Sequence, residues 1–299
     1  MKRILLSGAT GLVGSELSAS LTIGGHGVVA LTRRDDPRSV RWSPVEGSIE
    51  ADKLAGFDAV VHLAGENIFG RWSSRKKRAI YDSRVEGTRL LCETLARLPT
   101  KPGVLACASA TGYYGSRGDE VLTEVSAKGT GFLADVCHAW EQVCEPARQA
   151  GIRVVNIRSG PVLSPKGGML GTLLPLFKAG LGGVLGSGRQ WIAWIAIDDL
   201  VDIYNTALMD ESLAGPINAT APNPVTNQEF TKTLGRVLKR PTICRVPEFA
   251  ARLVLGEGAD EMALTSNRVL PERLTKAGHG FRHPTLEEAL RFLLDKGGS

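Results

Sequence analysis

No apolar run in this chain reaches the ~20 residues that a helix needs to cross a bilayer, so no membrane partner is expected. The first strand begins at residue 2, which leaves no room ahead of it for a signal or transit peptide, and the expected location is the cytoplasm. Cysteine is sparse and unpatterned. Cys92, Cys107, Cys137, Cys144 and Cys244 are odd in number, contain no C-x-x-C pair and mostly lie in apolar segments. That argues against a disulfide framework or a metal site and reads them as reduced core or helix residues. Internal repeats and low-complexity tracts are absent too. The run Arg75-Lys76-Lys77-Arg78 has no interleaved aromatics and no nucleic-acid motif around it, so it reads as a solvated helix face and no nucleic-acid partner is expected. The net charge of +5 is modest and by itself serves an anionic cofactor as easily as a nucleic acid.

What the chain does hold is Gly8-Ala9-Thr10-Gly11-Leu12-Val13-Gly14, set directly after the apolar run Ile4-Leu5-Leu6. A Lys2–Ser7 strand, this glycine turn, a helix with Leu12, Val13, Leu17 and Leu21 on one face, a Gly24-Gly25 stop and a second strand, Val28–Thr32, follow in order. Such a unit binds a dinucleotide pyrophosphate: glycine lets the backbone approach the ligand, and free N–H groups with the helix dipole attract phosphate. Further strands are expected at Phe57–Ala64, Gly103–Ala108 and Arg153–Ile157, alternating with helices at Ser73–Leu98 and Gly131–Ala150. Past residue 160 come glycine-rich loops at Pro165–Gly168 and Gly180–Gly188, then helices at Asp198–Met209, Thr226–Leu238 and Leu286–Leu294. The fold class is therefore α/β, a Rossmann-type doubly wound parallel sheet with a smaller C-terminal substrate-side lobe. The boundaries are residues 1–160 for the dinucleotide domain, to which parts of 185–220 return, and 161–299 for the second lobe, which ends in a helical segment, 250–299.

The second strand ends at Thr32-Arg33-Arg34, about 20 positions after Gly14, where this fold reads the adenine ribose. A carboxylate there accepts the ribose 2′-OH and an arginine pairs with a 2′-phosphate, so Arg33 favours NADP(H). The alternative is that Arg33 and Arg34 are solvated loop charges beside Asp35-Asp36.

Gly8–Gly14, Asp58-Ala59-Val60-Val61-His62-Leu63-Ala64-Gly65 and Gly87-Thr88 together resemble the extended short-chain dehydrogenase/reductase superfamily, NAD-dependent epimerase/dehydratase group. Gly65-Glu66-Asn67-Ile68, Arg71-Trp72, Ser83-Arg84, Gly112-Tyr113-Tyr114-Gly115, Trp140-Glu141 and Arg158-Ser159-Gly160 are similar to its sugar-nucleotide epimerase-like branch, and Pro271–Leu294 to that branch's small C-terminal domain of unknown function. The resemblance implies that Leu63, Ala64 and Gly65 run beneath the cofactor's ribose and pyrophosphate, and that Ser159, Pro161 and Val162 reach the nicotinamide end. It also implies that Arg84, where most relatives keep asparagine, pairs with a cofactor or substrate phosphate; the alternative is a carboxylate on a neighbouring helix surface. A homodimer through Ser73–Leu98 and Gly131–Ala150, anchored by Trp140, is a further expectation.

The resemblance also exposes an absence. Short-chain dehydrogenases normally use a tyrosine acid/base with a lysine four residues later, tuning a phenol whose ordinary pKa is ~10. With Glu141 as anchor these positions hold Leu133 and Cys137, and a shift of one gives Phe132 and Val136. Ser109 and Thr111 remain as groups to orient a substrate oxygen, and Tyr113 as a substitute proton donor. Trp191-Ile192-Ala193-Trp194-Ile195 is a candidate pocket wall, His62 reads as a core histidine, and Asp198-Asp199 as a helix cap. The leading reading is an NADP(H)-binding epimerase or oxidoreductase acting on a polar or nucleotide-linked small-molecule substrate. Its rival is a catalytically inactive NADP(H)-binding regulatory or scaffold protein.

Overall fold

The computed structural model describes residues 1–296. Alternation in the first strand, β1 (Arg3–Ser7), sets the architecture, because Ile4 and Leu6 bury on one side of it and Leu5 on the other. Both faces of a sheet built around such a strand must be covered.

The sheet runs in the order β8-β7-β6-β5-β1-β2-β3-β4, with β2 at Gly27–Thr32, β3 at Val40–Ser43, β4 at Ser48–Ile49, β5 at Ala59–His62, β6 at Val104–Ala110, β7 at Arg153–Ser159 and β8 at Gly215–Ala219. All pairings are parallel except β3 with β4, so the expected parallel sheet carries an antiparallel edge. Strand order reverses at β1, which pairs Ile4 with Val28 of β2 and with Ala59 of β5. Ligands of doubly wound sheets sit at the C-terminal ends of the strands at this switch point.

Helices α1 (Leu12–Ile23) and α6 (Ile197–Met209) cover one face, where Leu17, Leu21, Ile203, Tyr204 and Leu208 join Ile4 and Leu6. The opposite face takes α2 (Ser74–Arg97), α3 (Phe132–Gln142) and α4 (Glu145–Gln149), with Leu91, Leu95 and Trp140 against Leu5, Val60 and Leu105. Ser73 caps α2 by accepting the Lys76 N–H at 3.2 Å. The continuous helix expected over 131–150 is broken at Val143-Cys144. Pro146 in the first turn of α4 has no N–H to donate to the preceding turn, so the chain restarts rather than continues.

A third apolar cluster forms the second lobe. It joins α5 (Gly168–Lys178), α7 (Asn227–Leu238) and α10 (Leu286–Lys296) through Leu174, Phe177, Phe230, Leu234, Leu290 and the fully buried Trp194. Between these lie α8 (Glu248–Leu255) and α9 (Glu272–Lys276). No side chain of α8 is buried, and Phe249, Leu253 and Val254 are exposed. Asp199 does not cap α6: the N-cap position is Ala196, and the buried Asp199 carboxylate accepts the N–H groups of Arg282 (2.7 Å) and His283 (3.2 Å).

The glycine turn is sterically closed. A Cβ on Gly14 would lie 2.1 Å from Gly8 O, whereas one on Gly27 would meet nothing within 4 Å. Gly14→Ala is therefore expected to cost about 3 kcal/mol and Gly27→Ala within about 0.5 kcal/mol of zero, read from denaturant midpoints. Equal midpoints for the two variants would overturn the steric account.

Candidate cofactor and substrate cleft

At the switch point the turn brings three elements together. Gly8 adopts φ +71° and passes so close to the β5 end that a Cβ would stand 2.9 Å from Leu63 C. Only glycine takes this conformation freely. Gly11 is the N-cap of α1 without a side-chain cap, and the first backbone N–H to bond is that of Ser15, to Gly11 O at 2.9 Å. Those of Leu12, Val13 and Gly14 have no acceptor among the described residues, no acid occupies the first turn, and Thr10 and Gly11 are exposed. These are the requirements of a phosphate cradle.

Sequence reading missed the pair beneath this cradle. Ser7 Oγ accepts the N–H groups of Leu63 (3.0 Å) and Ala64 (3.2 Å) and lies 2.7 Å from His62 Nδ1. With both acceptor directions of the hydroxyl in use, its own proton goes to Nδ1, which leaves the His62 proton on Nε2. Leu63-Ala64-Gly65 is thereby fixed against β1. Burial pushes the His62 imidazole down to about 4 despite a small opposing pull from Cys144. His62 is the core residue that its strand position implied.

At the far end of β2, Thr32 Oγ1 accepts the Arg34 N–H at 3.1 Å. The Arg33 and Arg34 guanidinium groups are exposed and pair with no acid among the described residues, while Asp36 is turned to Arg38 through its N–H (2.9 Å) and its side chain (3.6 Å). The neighbouring acid thus leaves Arg33 available. Arg84 departs from the carboxylate-paired alternative. Its guanidinium donates to the carbonyls of Glu66 (2.9 Å) and Ile80 (3.3 Å), lies over the Trp140 ring at 5.2 Å, and underlies Gly65, whose Cβ would stand 3.3 Å from Cζ. No carboxylate among the described residues pairs with it, and Glu66 is turned to Lys76. Trp140, expected as an interface anchor, is buried within the chain and donates to Thr88 Oγ1 at 2.8 Å.

The C-terminal ends of β6 and β7 carry a buried polar network. Arg158 holds Glu141 through two bonds, Nε to Oε1 at 2.8 Å and Nη2 to Oε2 at 2.7 Å, and donates from Nη1 to the Tyr114 hydroxyl at 2.9 Å. Ser109 Oγ donates to Glu141 Oε1 at 2.7 Å, and Tyr114 donates to Asn218 Oδ1 at 2.7 Å. Burial pulls the Arg158 pKa down, but the Glu141 hydrogen bond and charge outweigh it and raise it. Burial pushes the Tyr114 phenol up to about 12. Thr111 is buried in the turn Thr111–Tyr114, and its hydroxyl bonds to no side chain among the described residues. Tyr113 is half-buried, its ring face 3.5 Å from Arg158 Cζ and its hydroxyl unpartnered among the described residues. Of the catalytic candidates, Ser109 is thus engaged by Glu141, while Thr111 and Tyr113 keep their hydroxyl groups uncommitted.

Leu133 and Cys137 pack against Gly112, whose Cβ would lie 3.3 and 3.7 Å from them, and burial pushes the Cys137 thiol up to about 12. Above them Glu261 accepts the N–H groups of Phe132 and Leu133, both at 3.0 Å, tying the C-terminal region to the start of α3. Ser159 closes β7 opposite Ala110, and Pro161 O accepts the Ile195 N–H at 3.1 Å. Val162 pairs with Ile195 in a short parallel bridge. Trp191 is half-buried beside Arg268 (4.4 Å) and donates to Asp119 (2.7 Å); Trp194 is a core residue bonded to Asn223 O at 3.1 Å.

Comparison with known proteins bears on this cleft. The model of the NAD dependent epimerase/dehydratase family matches residues 4–218, from β1 to β8. The chain belongs to the NAD dependent epimerase/dehydratase family. A domain of unknown function, DUF1731, matches residues 246–293. An epimerase family protein of Mycobacterium bovis is 43% identical over 298 residues, covering 99% of this chain and 98% of its own. The crystal structure of human epimerase family protein SDR39U1 (isoform 2) with NADPH is 32% identical to this chain. That human structure has a TM-score of 0.91 and covers 98% of this chain and 99% of its own. The nucleoside-diphosphate sugar epimerase of Corynebacterium glutamicum is 42% identical at TM-score 0.82; it covers 98% of this chain, which spans 58% of that longer one. The fold is the NAD(P)-binding fold of this family, and the cradle, the fixed 63–65 loop and the strand ends fit a dinucleotide.

The Ser7–His62 pair makes a pH prediction. His62 is depressed in the folded state from 6.5 to about 4, so the unfolded chain binds its proton more readily. The contribution, about 3 kcal/mol, is complete above pH ~6.5 and is lost as pH falls toward ~4. In urea titrations across that window, His62→Gln is expected to show a shallower acid slope than the parent; identical slopes would remove His62 as the cause.

Proposed function

We propose that this family member binds NADP(H) and interconverts alcohol and carbonyl forms of a polar, nucleotide-linked metabolite, as an epimerase or oxidoreductase. The observation that carries the cofactor choice is the uncommitted Arg33 at the end of β2, in the place where a 2′-phosphate lies. The NADPH held by the human relative supports the same choice, and the sugar-nucleotide activity in the name of the Corynebacterium relative supports the substrate class.

When bound, the nicotinamide supplies reversible hydride transfer. The chain's own residues do the rest. The N–H groups of Leu12, Val13 and Gly14 bind the pyrophosphate, Arg33 with Thr32 binds the ribose phosphate, and Leu63, Ala64 and Gly65 give the flat floor. Arg84 acts from beneath that floor, holding Gly65 in place and adding positive charge. Ser159, Pro161 and Val162 border the nicotinamide end. Thr111 orients the substrate oxygen, and Tyr113, whose ring lies against the Arg158 guanidinium, exchanges the proton. Ser109 acts as a positioning residue by holding Glu141, and so Arg158, in place.

A second reading is supported by Leu133 and Cys137 at the positions of the usual pair: an NADP(H)-binding regulatory protein without turnover. Two measurements separate these. Arg33→Ala is expected to weaken NADPH binding about tenfold or more and to leave NADH binding nearly unchanged, by calorimetry. Equal affinity of the parent for both cofactors would overturn the NADP(H) assignment. With nucleotide sugars and carbonyl compounds, Tyr113→Phe is expected to abolish turnover while retaining NADPH affinity; turnover that survives it would exclude Tyr113 as the donor.

A further inference from the structure

Helix α3 begins without a cap of its own. Gly131, at the N-cap, offers no side chain, and the first intrahelical bond is that of the Asp135 N–H to Gly131 O at 3.1 Å. The open donors of Phe132 and Leu133 are met from the other end of the chain, each by one oxygen of the Glu261 carboxylate at 3.0 Å. That approach needs glycine at 131, where φ is +111° and a Cβ would stand 2.5 Å from Glu261 Oε1. Glu261 lies in the middle of a single π-helical turn, Ala259–Ala263, closed by the Leu264 N–H on Ala259 O at 2.8 Å. Such turns are rare and recur at functional sites.

The surroundings hold this turn in place. Met262 packs on the cluster of Trp72, Ile80 and Val136, as Phe132 and Leu133 do. Gly258 passes so close to Trp72 that a Cβ would lie 3.2 Å from its ring, and Glu257 pairs with Lys77 at 2.7 Å. The residue that Glu261 fixes is in turn pressed against the Thr111–Tyr114 segment: a Cβ on Gly112 would stand 3.3 Å from Leu133 Cβ and 3.7 Å from Cys137 Sγ. With no side chain at Gly112 to change rotamer, a shift of the α3 start passes directly to the backbone that carries Thr111 and Tyr113. On its other side the segment is held through Tyr114, by Arg158 and Asn218.

We propose, on the roles given above to Thr111 and Tyr113, that Glu261 is a positioning residue for the reaction. Through this carboxylate the C-terminal region sets the start of α3, and through Leu133 and Gly112 it sets where the two hydroxyls meet the substrate oxygen. Because α3 holds Leu133 and Cys137 at the positions of the usual tyrosine and lysine, it contributes a wall to the cleft, and the placing of that wall is what Glu261 controls.

Glu261→Gln tests this in the full-length chain, because the amide fills the same space but turns a donor toward one of the two N–H groups. Hydrogen exchange read by mass spectrometry is expected to speed about tenfold or more in the peptide carrying the Gly115 N–H, which bonds to Gly112 O at 3.0 Å, as well as at Phe132 and Leu133. NADPH affinity stays within about twofold of the parent by calorimetry. On a nucleotide sugar or carbonyl compound that the parent turns over, kcat falls about tenfold while KM stays within about twofold. Gly112→Ala, which presses the same joint from the other side, gives the same split between kcat and NADPH affinity, and Arg252→Ala, which removes only exposed pairs to Glu248 and Asp260, leaves every reading unchanged. Faster exchange confined to the α3 start, faster exchange that extends to β1, equal effects from Arg252→Ala, or an unchanged kcat in both Glu261→Gln and Gly112→Ala would each overturn the proposal. Turnover that survives Tyr113→Phe counts instead against the assigned proton donor, and exchange at Gly115 still decides whether Glu261 holds the turn.

Discussion

The buried pair of Arg158 and Glu141 is the interaction on which the far half of the cleft depends. Removing two charges from water costs several kcal/mol per ion, and only close geometry with full hydrogen bonding repays it. Here both partners are nearly inaccessible, yet each guanidinium nitrogen has an acceptor. That requirement dictates the neighbours. Ser109 supplies a donor to Glu141, Tyr114 receives the remaining Arg158 bond, and Tyr113 lies flat on the cation. Through Tyr114 the chain of bonds continues to Asn218 of β8 and from there to Leu270 O in the C-terminal region (2.9 Å). A single buried ion pair therefore joins three strands, one helix and the second lobe.

Local signals carried the first half of the fold. The glycine turn, the strand before it, and helices α2 and α7 with their Ser73 and Thr226 caps follow from contiguous residues, and they came out close to their observed bounds. The family was legible for the same reason, since its motifs are short and contiguous. Short elements without a motif beside them were lost: β3, β4 and β8 lack the contiguous signature that marked the equally short β1 and β5. The break at Cys144 had a visible marker in Pro146, which the apolar pattern on either side overrode.

Polar partnerships were the least legible part of the cleft. Ser7 and His62 are 55 positions apart, and Ser109 and Glu141 are 32 apart, so nothing local announces either bond. Arg84 shows the related difficulty that a backbone carbonyl has no residue identity; a search among carboxylates for its partner was bound to miss the Glu66 and Ile80 oxygens. Glu261, reaching back to the start of α3 across more than a hundred residues, belongs with these.

The position of α6 and β8 late in the chain has a consequence for synthesis. Ile203, Tyr204 and Leu208 complete the cover over Ile4 and Leu6 that Leu17 and Leu21 of α1 begin, and β8 completes the edge beside β7. A growing chain therefore leaves part of one apolar face of its earliest strands uncovered until α6 and β8, near residue 200 and beyond, have been made. Domains tend to form as units once their last element is available, and an uncovered sheet face is the surface on which nascent chains associate wrongly. Closure of that sheet face thus waits on where the sequence places α6, not on the dinucleotide turn near the start of the chain.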